Sequence, residues 1–138
     1  MADIAASVLA RLKNKAIETG RSNQLCLQLF CQEEFLRRLQ KSGYAESFIL
    51  KGGLLIYAVT EFDSRVTVDI DFLMRNIPNN PDALKPILYD IIKVDSGNEF
   101  ISFDIQKIEA ISLAKTYPGI RATIIARIKN TRTFFNID

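Results

Sequence analysis

Two aspartates, Asp69 and Asp71, are the residues with the clearest capacity for chemistry. They flank Ile70 in segment 66–74, whose branched and aromatic residues are typical of a strand. Alternate residues of a strand share a face, so their Cα atoms are expected about 7 Å apart on one face. Carboxylates so spaced can bind Mg²⁺, which commonly bridges protein oxygens to substrate phosphates. An isolated Asp-x-Asp is also compatible with a solvated pair at a strand end.

A glycine pair precedes the two aspartates. Lys51-Gly52-Gly53 follows the short apolar run 48–50, which is typical of a buried strand, and precedes segment 54–59, long enough for a short helix. Glycines let the backbone approach a ligand, and N–H groups at a helix N-terminus favour an anion. Lys51, Arg65 and Thr67 are therefore candidate phosphate donors. The alternative for Lys-Gly-Gly is an ordinary tight turn.

The composition indicates one ordinary domain and excludes several kinds of site. The 138 residues include 18 Lys+Arg and 16 Asp+Glu, a net charge of +2, with 48% hydrophobic residues. These proportions exclude a disordered, collagen-like or disulfide-stapled chain. With no histidine, the chain cannot build a Ser-His or Cys-His nucleophile or a histidine-ligated zinc site. Any polyanionic partner would need a local basic patch, because the net charge is small.

The cysteines and the apolar pattern indicate a cytoplasmic protein. Cys26 and Cys31 lie five residues apart in a predicted helix, a spacing that suits neither a metal site nor a disulfide framework. They are interpreted as packed thiols. The first residues do not resemble a secretory signal, and no run of 18 apolar residues occurs, so no membrane partner is expected.

Apolar periodicity predicts an α+β unit with the helices first. Helices are expected over about 4–17, ended by Gly20, and 23–41, capped by Asn23. A further helix is expected at about 82–93, and strands at 100–113 and 120–128, separated by a turn at Tyr117-Pro118-Gly119. Segment 133–138 resembles the beginning of another strand. Together these elements predict a mixed sheet with at least one crossover helix.

Strand 120–128 has one apolar face, with core positions at Ile120, Ala122, Ile124, Ala126 and Ile128. Basic residues on its other face and in the following turn could track a tRNA backbone, or form an ordinary solvated face: Arg121, Arg127, Lys129 and Arg132, with Thr123 nearby.

Other charged and aromatic residues receive plainer interpretations. On the second helix, the cations Arg37, Arg38 and Lys41 are predicted to pair at the surface with Glu33 and Glu34. Four phenylalanines are assigned to the core rather than to base stacking: Phe100, Phe103, Phe134 and Phe135.

Three segments carry a resemblance to a known family. They are FILKGGLLIYAVTEFDSRVTVDIDFL, with a Lys-Gly-Gly turn and an Arg-x-Thr-x-Asp-x-Asp strand, QEEFLRRLQKSGY upstream, and YPGIRATIIARIKNTRTFFNID downstream. Together they resemble the AbiEii/AbiGii toxin family of nucleotidyltransferases over nearly the whole chain.

The resemblance implies a nucleotidyltransferase-like mixed β-sheet with two N-terminal helices and flanking helices. It implies a single domain, 1–138, with helices in 2–43 and the catalytic sheet region in 47–138. The family's C-terminal helical portion would be absent, so the 138-residue form is expected to be an inactive or weakly active fragment.

The resemblance also implies roles for individual residues. Gly52 and Gly53 would hold the triphosphate, while Lys51, Arg65, Thr67 and Arg121 match further nucleotide-binding positions. Asp69 and Asp71 would bind two Mg²⁺ ions, and Asp138 would be the third catalytic carboxylate. Asp104, on a predicted strand, is the reserve candidate for that third acid.

The implied activity is Mg²⁺-dependent transfer of a nucleoside monophosphate from a nucleoside triphosphate to an acceptor hydroxyl, with loss of pyrophosphate. Family members are toxins of toxin–antitoxin or phage-defence systems, and some modify RNA, including tRNA. An antitoxin and a second copy of the chain are candidate partners. The alternative is a non-catalytic remnant that binds a partner or itself.

Overall fold

The computed structural model describes residues 3–51, 69–75, 77, 80–114, 117–129 and 131–137; at 50, 51, 69, 71, 111–114, 117 and 118 it describes the backbone alone. The helices are α1 (Ile4–Thr19), α2 (Asn23–Lys41) and α3 (Pro81–Ile92), with a 3₁₀ turn at Ala45–Ser47. The strands are β1 (Phe48–Lys51), β2 (Asp69–Met74), β3 (Ile101–Ala114), β4 (Tyr117–Ile128) and β5 (Thr131–Ile137). The helix predicted at 54–59 lies outside the described residues.

The two predicted N-terminal helices are confirmed; α2 has the predicted bounds, and α1 extends two residues beyond the predicted 4–17. The Asp3 carboxylate caps α1 by accepting the Ala6 N–H at 3.0 Å, and the helix ends at Gly20, whose φ of 71° is left-handed. At α2, the cap is Ser22 rather than the predicted Asn23. Its extended backbone precedes the first helical turn, and its hydroxyl accepts the Leu25 N–H at 3.1 Å.

The strands form a mixed sheet in the order β1-β2-β5-β4-β3. β3, β4 and β5 are successive antiparallel neighbours, β5 is parallel to β2, and β2 is antiparallel to β1. The chain between the two parallel strands contains α3 and the β3–β4 pair. The predicted α+β class, with two N-terminal helices and a mixed sheet, is confirmed.

The predicted turn at Tyr117-Pro118-Gly119 is wrong. These three residues begin β4, and their Cα partners on β3 are Ala114, Ser112 and Ile111. The ladder has a register shift between Ser112 and Ala114, which accommodates the irregular pairing beside Pro118.

The core lies between one face of the sheet and helices α2 and α3. Phe35 of α2, Phe103 of β3 and Phe135 of β5 meet edge to face, with ring centroids 6.1–6.2 Å apart. The predicted apolar face of β4 is confirmed, since all five of its residues are buried. We call the opposite side the outer face; it carries Thr123, Arg127, Phe134 and Asn136. Phe134 is 45% exposed there, so its assignment to the core is wrong.

Arg38 and Glu34 form a buried ion pair rather than the predicted surface pair. Arg38 Nε donates to Glu34 Oε1 at 3.2 Å, and both side chains are almost completely buried. The remaining guanidinium nitrogens donate to the backbone carbonyls of Ile92 and Ile101, each at 2.7 Å. The ion pair therefore joins α2 to the end of α3 and the start of β3. By contrast, the Arg37–Glu33 pair is exposed as predicted.

The same carboxylate also fixes the loop between α3 and β3. Glu34 accepts hydrogen bonds from the Ser96 hydroxyl and, at 2.8 Å, from Asn98 Nδ2. A carboxylate with a cationic partner and two further donors has its buried charge compensated.

Cys31, one turn before Phe35, is fully buried, as expected for a packed thiol. Burial raises the pKa of the Cys31 thiol to about 12; a hydrogen bond with Thr133 opposes this rise, and the charge of Glu34 adds to it. Cys26 is also buried and has no disulfide partner.

Candidate functional site

Strand β2 carries both aspartates and lies between β1 and β5 in the sheet. Its first two residues, Asp69 and Ile70, are paired in parallel with Asn136 and Ile137 of β5. From Asp71 onward it is paired with β1. Ile70 is completely buried and Phe72 is buried, so the aspartates occupy the strand positions that alternate with core residues.

The Lys-Gly-Gly segment begins beside the second aspartate. Lys51 is the last residue of β1, and its Cα partner on β2 is Asp71. Paired residues of antiparallel strands have Cα atoms about 5 Å apart. The chain thus enters Gly52 and Gly53 from the position next to Asp71. These glycines, together with Arg65 and Thr67, lie outside the described residues.

The end of β5 reaches the other side of β2. Ile137 has Ile70 as its partner on β2 and Ala122 as its partner on β4. Asp138, the predicted third carboxylate, follows Ile137 in sequence and lies outside the described residues. Arg121 precedes Ala122, is half-buried, and has Glu109 as its Cα partner on β3. The ends of β1 and β5 therefore both meet the first three residues of β2.

A polar row that sequence reasoning missed crosses the sheet from Asp69. The register aligns Asp69 of β2 with Asn136 of β5, Thr123 of β4 and Lys107 of β3. Thr123 Oγ1 donates to Asn136 Oδ1 at 3.0 Å. The sequence signal for Asn136 was its spacing: it lies two residues before Asp138, so the two share a face in a regular strand.

Asp104, the reserve candidate for the third acid, does not lie near β2. It is on β3, separated from β2 by β5 and β4, which corresponds to about 14 Å at the usual strand spacing. Its carboxylate instead accepts from Arg127 Nη1 at 2.5 Å. The reserve assignment of Asp104 is therefore wrong.

The basic residues around β4 are partly neutralised. Arg127 is paired with Asp104, and Lys129 is paired with Asp3, the cap of α1. Arg132 is exposed beside Arg127, its Cα partner across β4 and β5. Because Arg127 and Lys129 have acidic partners, their contribution to a polyanion-binding surface is reduced.

The described part of the chain contains no group of three or more cysteine, aspartate or glutamate side chains arranged to hold a metal ion. The carboxylates of Asp69, Asp71 and Asp138 are outside that search, so the predicted Mg²⁺ site stays a prediction. No helix in the same described ranges has the length and apolar character needed to cross a membrane.

Comparison with known families gives a match over most of the chain. The model of the nucleotidyl transferase AbiEii toxin family, of type IV toxin–antitoxin systems, matches residues 34–138. The matched region begins within α2 and includes β1, β2 and β5, the strands that meet around the aspartates. Searches of curated proteins and of solved structures find no match.

Proposed function

Because the chain belongs to the AbiEii family of nucleotidyl transferase toxins of type IV toxin–antitoxin systems, we propose that it transfers a nucleoside monophosphate from a nucleoside triphosphate to an acceptor hydroxyl. The observation that carries this proposal is the register around β2. Lys51 is the partner of Asp71 on one side, and Ile137 is the partner of Ile70 on the other. The ends of β1 and β5, which in sequence precede Gly52-Gly53 and Asp138, thus meet the same short stretch of β2.

The donor set suits Mg²⁺. Asp69, Asp71 and Asp138 would supply only carboxylate oxygens, the ligands that hard cations prefer. The chain has no histidine, and Cys31 of α2 is fully buried. When bound, a pair of Mg²⁺ ions would withdraw negative charge from the phosphate oxygens during in-line displacement.

The remaining residues of the proposed site would bind and orient the nucleotide. Lys51 and the backbone N–H groups of Gly52 and Gly53 would bind the triphosphate. Arg65, Thr67 and Arg121 would supply further donors to phosphate or sugar oxygens. Asp138 would accept the proton of the attacking hydroxyl, so that the bond to the α-phosphorus forms as pyrophosphate leaves.

We further propose that the acceptor is an RNA hydroxyl, such as one on a tRNA, and that a cognate antitoxin counteracts the activity in the cytoplasm, where triphosphates and tRNA are available. In such a system the toxin would also serve phage defence. The exposed Arg132 on β5 and the half-buried Arg121 on β4 supply cationic positions for an RNA backbone.

The test is transfer of label from each of the four α-³²P nucleoside triphosphates to total RNA. The expected result is weak labelling of RNA with at least one triphosphate in Mg²⁺, in keeping with the weakly active form that the resemblance implies, and no labelling after the metal is removed with EDTA. Mass analysis of the product would identify the added nucleotide and its acceptor. No labelling with any of the four triphosphates would contradict the RNA proposal and favour the non-catalytic alternative. Sedimentation would then measure the self-association that this alternative predicts.

A further inference from the structure

Asn136 occupies a distinctive position beside the proposed site. It is the Cα partner of Asp69 on one side and of Thr123 on the other, and its side chain is half-buried on the outer face. Paired residues of neighbouring strands share a face and lie about 5 Å apart. The side-chain amide therefore belongs to the same row of the sheet as Asp69.

Thr123 determines which end of the amide is available. Its hydroxyl donates to Asn136 Oδ1 at 3.0 Å, and Thr123 itself is 9% exposed, in a well-packed strand position. With Oδ1 engaged as an acceptor, the amide retains Nδ2, which carries two N–H donors and no acceptor. A carboxylate has the complementary chemistry, since an ionised aspartate only accepts hydrogen bonds.

A neutral donor suits a carboxylate that must also bind a cation. A lysine or arginine at position 136 would neutralise the aspartate and compete with Mg²⁺ for it. An amide orients one carboxylate oxygen without removing the charge. Hydrogen bonds from such neighbours fix metal-binding side chains, and their loss typically weakens metal binding about 10- to 100-fold.

We propose that Asn136, held by Thr123, is a positioning residue that donates Nδ2 to the carboxylate of Asp69. This inference rests on the proposed function, because it assigns Asp69 to the metal site. It adds two residues to that site, one of which acts only through the other.

The first experiment measures Mn²⁺ binding by electron paramagnetic resonance, with the metal alone as the probe. Thr123→Val is isosteric and keeps a β-branched side chain but removes the hydroxyl. It is expected to weaken Mn²⁺ binding about tenfold, and Asn136→Ala to weaken it at least as much. Thr123→Ser, the matched control, keeps the hydroxyl and should bind Mn²⁺ like the wild type. Urea unfolding of each variant verifies that the fold is retained.

The second experiment tests whether Thr123 acts through Asn136. If it does, the double variant Thr123→Val/Asn136→Ala will bind Mn²⁺ no more weakly than Asn136→Ala alone. Two independent effects would instead multiply, and that result would overturn the proposed order of action. In the RNA-labelling assay, the Mg²⁺ concentration that gives the half-maximal rate should be higher for Thr123→Val than for the wild type. For Thr123→Ser it should equal the wild-type value.

Asp69→Asn separates failure of this inference from failure of the proposed function. If Asp69→Asn abolishes Mn²⁺ binding while Thr123→Val and Asn136→Ala leave it unchanged, the positioning role alone is wrong. If the wild type binds no Mn²⁺, or binds it equally well after Asp69→Asn, the proposed metal site is wrong and the positioning role falls with it.

Discussion

The two faces of the sheet differ in how their polar side chains are used. Under the helices, Glu34 and Arg38 hydrogen-bond to each other, and Arg38 also donates to backbone carbonyls. On the outer face, Asn136 accepts a hydrogen bond from Thr123 through Oδ1, which leaves Nδ2 as the donor of the amide. Glu34 and Arg38 are nearly inaccessible, and their partners are loop and backbone atoms. Asn136 is half-buried and aligned with Asp69. Glu34 and Arg38 thus hold elements of the fold together, while the amide of Asn136 has N–H groups to offer the proposed site.

The largest expected effect distinguishes two aspartates of the sheet. Asp71→Asn is expected to lower the rate of nucleotidyl transfer about a thousandfold, because a metal ion contributes several kcal/mol of transition-state stabilisation. The matched control is Asp104→Asn, at an exposed carboxylate on β3 that is paired with Arg127. This control should retain activity. Equal losses in the two variants, measured by initial rates of RNA labelling, would contradict the assignment of the site to β2.

Two adjacent phenylalanines of β5, one on each face of the sheet, allow the faces to be compared by the stability lost when each side chain is truncated. Phe135 is 2% exposed and packs edge to face with Phe35 and Phe103, so Phe135→Ala should lower the free energy of unfolding by about 4 kcal/mol. Phe134 is 45% exposed, and Phe134→Ala should cost less than about 1 kcal/mol. Urea denaturation measures both. A cost for Phe134 as large as that for Phe135 would mean that the outer face is also covered.

Adjacent arginines on α2 provide the next comparison. Arg38→Met keeps an apolar stem but leaves the buried Glu34 without its cation, so a loss of about 3 kcal/mol in unfolding free energy is expected. Arg37→Met removes only an exposed pair with Glu33 and should cost no more than about 0.5 kcal/mol.

The double variant Arg38→Met/Glu34→Leu sharpens this prediction. It should recover part of the loss, because the uncompensated charge is then removed as well. Unchanged stability in Arg38→Met would contradict a role for this pair in joining α2 to β3.

The smallest expected effect is a pH dependence of stability from Cys31. Burial raises the pKa of its thiol to about 12 from the ordinary 9.0, so the folded state favours the protonated thiol. The contribution of the protonated Cys31 thiol to the free energy of unfolding is fully present below pH 9. It is lost as the pH rises from 9 toward 12, because the thiol ionises in the unfolded chain before it ionises in the folded one. Between pH 8 and pH 10 the expected loss is about 1.4 kcal/mol.

Urea unfolding of the wild type and Cys31→Ala at these two pH values checks the prediction. The alanine variant should lack this part of the pH dependence, whereas Cys26→Ala, the matched control, should keep it. The same slope in Cys31→Ala and the wild type would show that another group is responsible.

Local patterns in the sequence predicted most of the fold. The helical spacing of apolar residues predicted both ends of α2, because that spacing is a property of the segment itself. The alternation of apolar and polar residues in 120–128 predicted the buried face of β4. The cap at Ser22 was missed by one residue, since Ser and Asn both cap helices. Tyr117-Pro118-Gly119 has turn-forming residues, but pairing with β3 overrides that local preference.

Features that depend on tertiary neighbours were not accessible in this way. An i, i+4 Glu–Arg spacing is the same whether the helix face is exposed or covered, so Arg37 and Arg38 looked alike in sequence. Strand order separates Asp104 from β2, and strand register places Asn136 beside Asp69. Neither strand order nor register can be predicted from the local sequence pattern. The aspartate pair and the Lys-Gly-Gly segment were recognisable because their spacing is local, and their catalytic roles stay predictions.

The junction of β2 with β5 has a consequence for how the protein folds. In the described residues only two pairs join these strands, Asp69 with Asn136 and Ile70 with Ile137, and the partners are distant in the chain. The β3–β4–β5 meander is built from contacts between sequence neighbours, which close at lower entropic cost. We therefore expect the meander to form early and β2 to dock late, so that nascent chains acquire the proposed catalytic arrangement only at the last stage of folding.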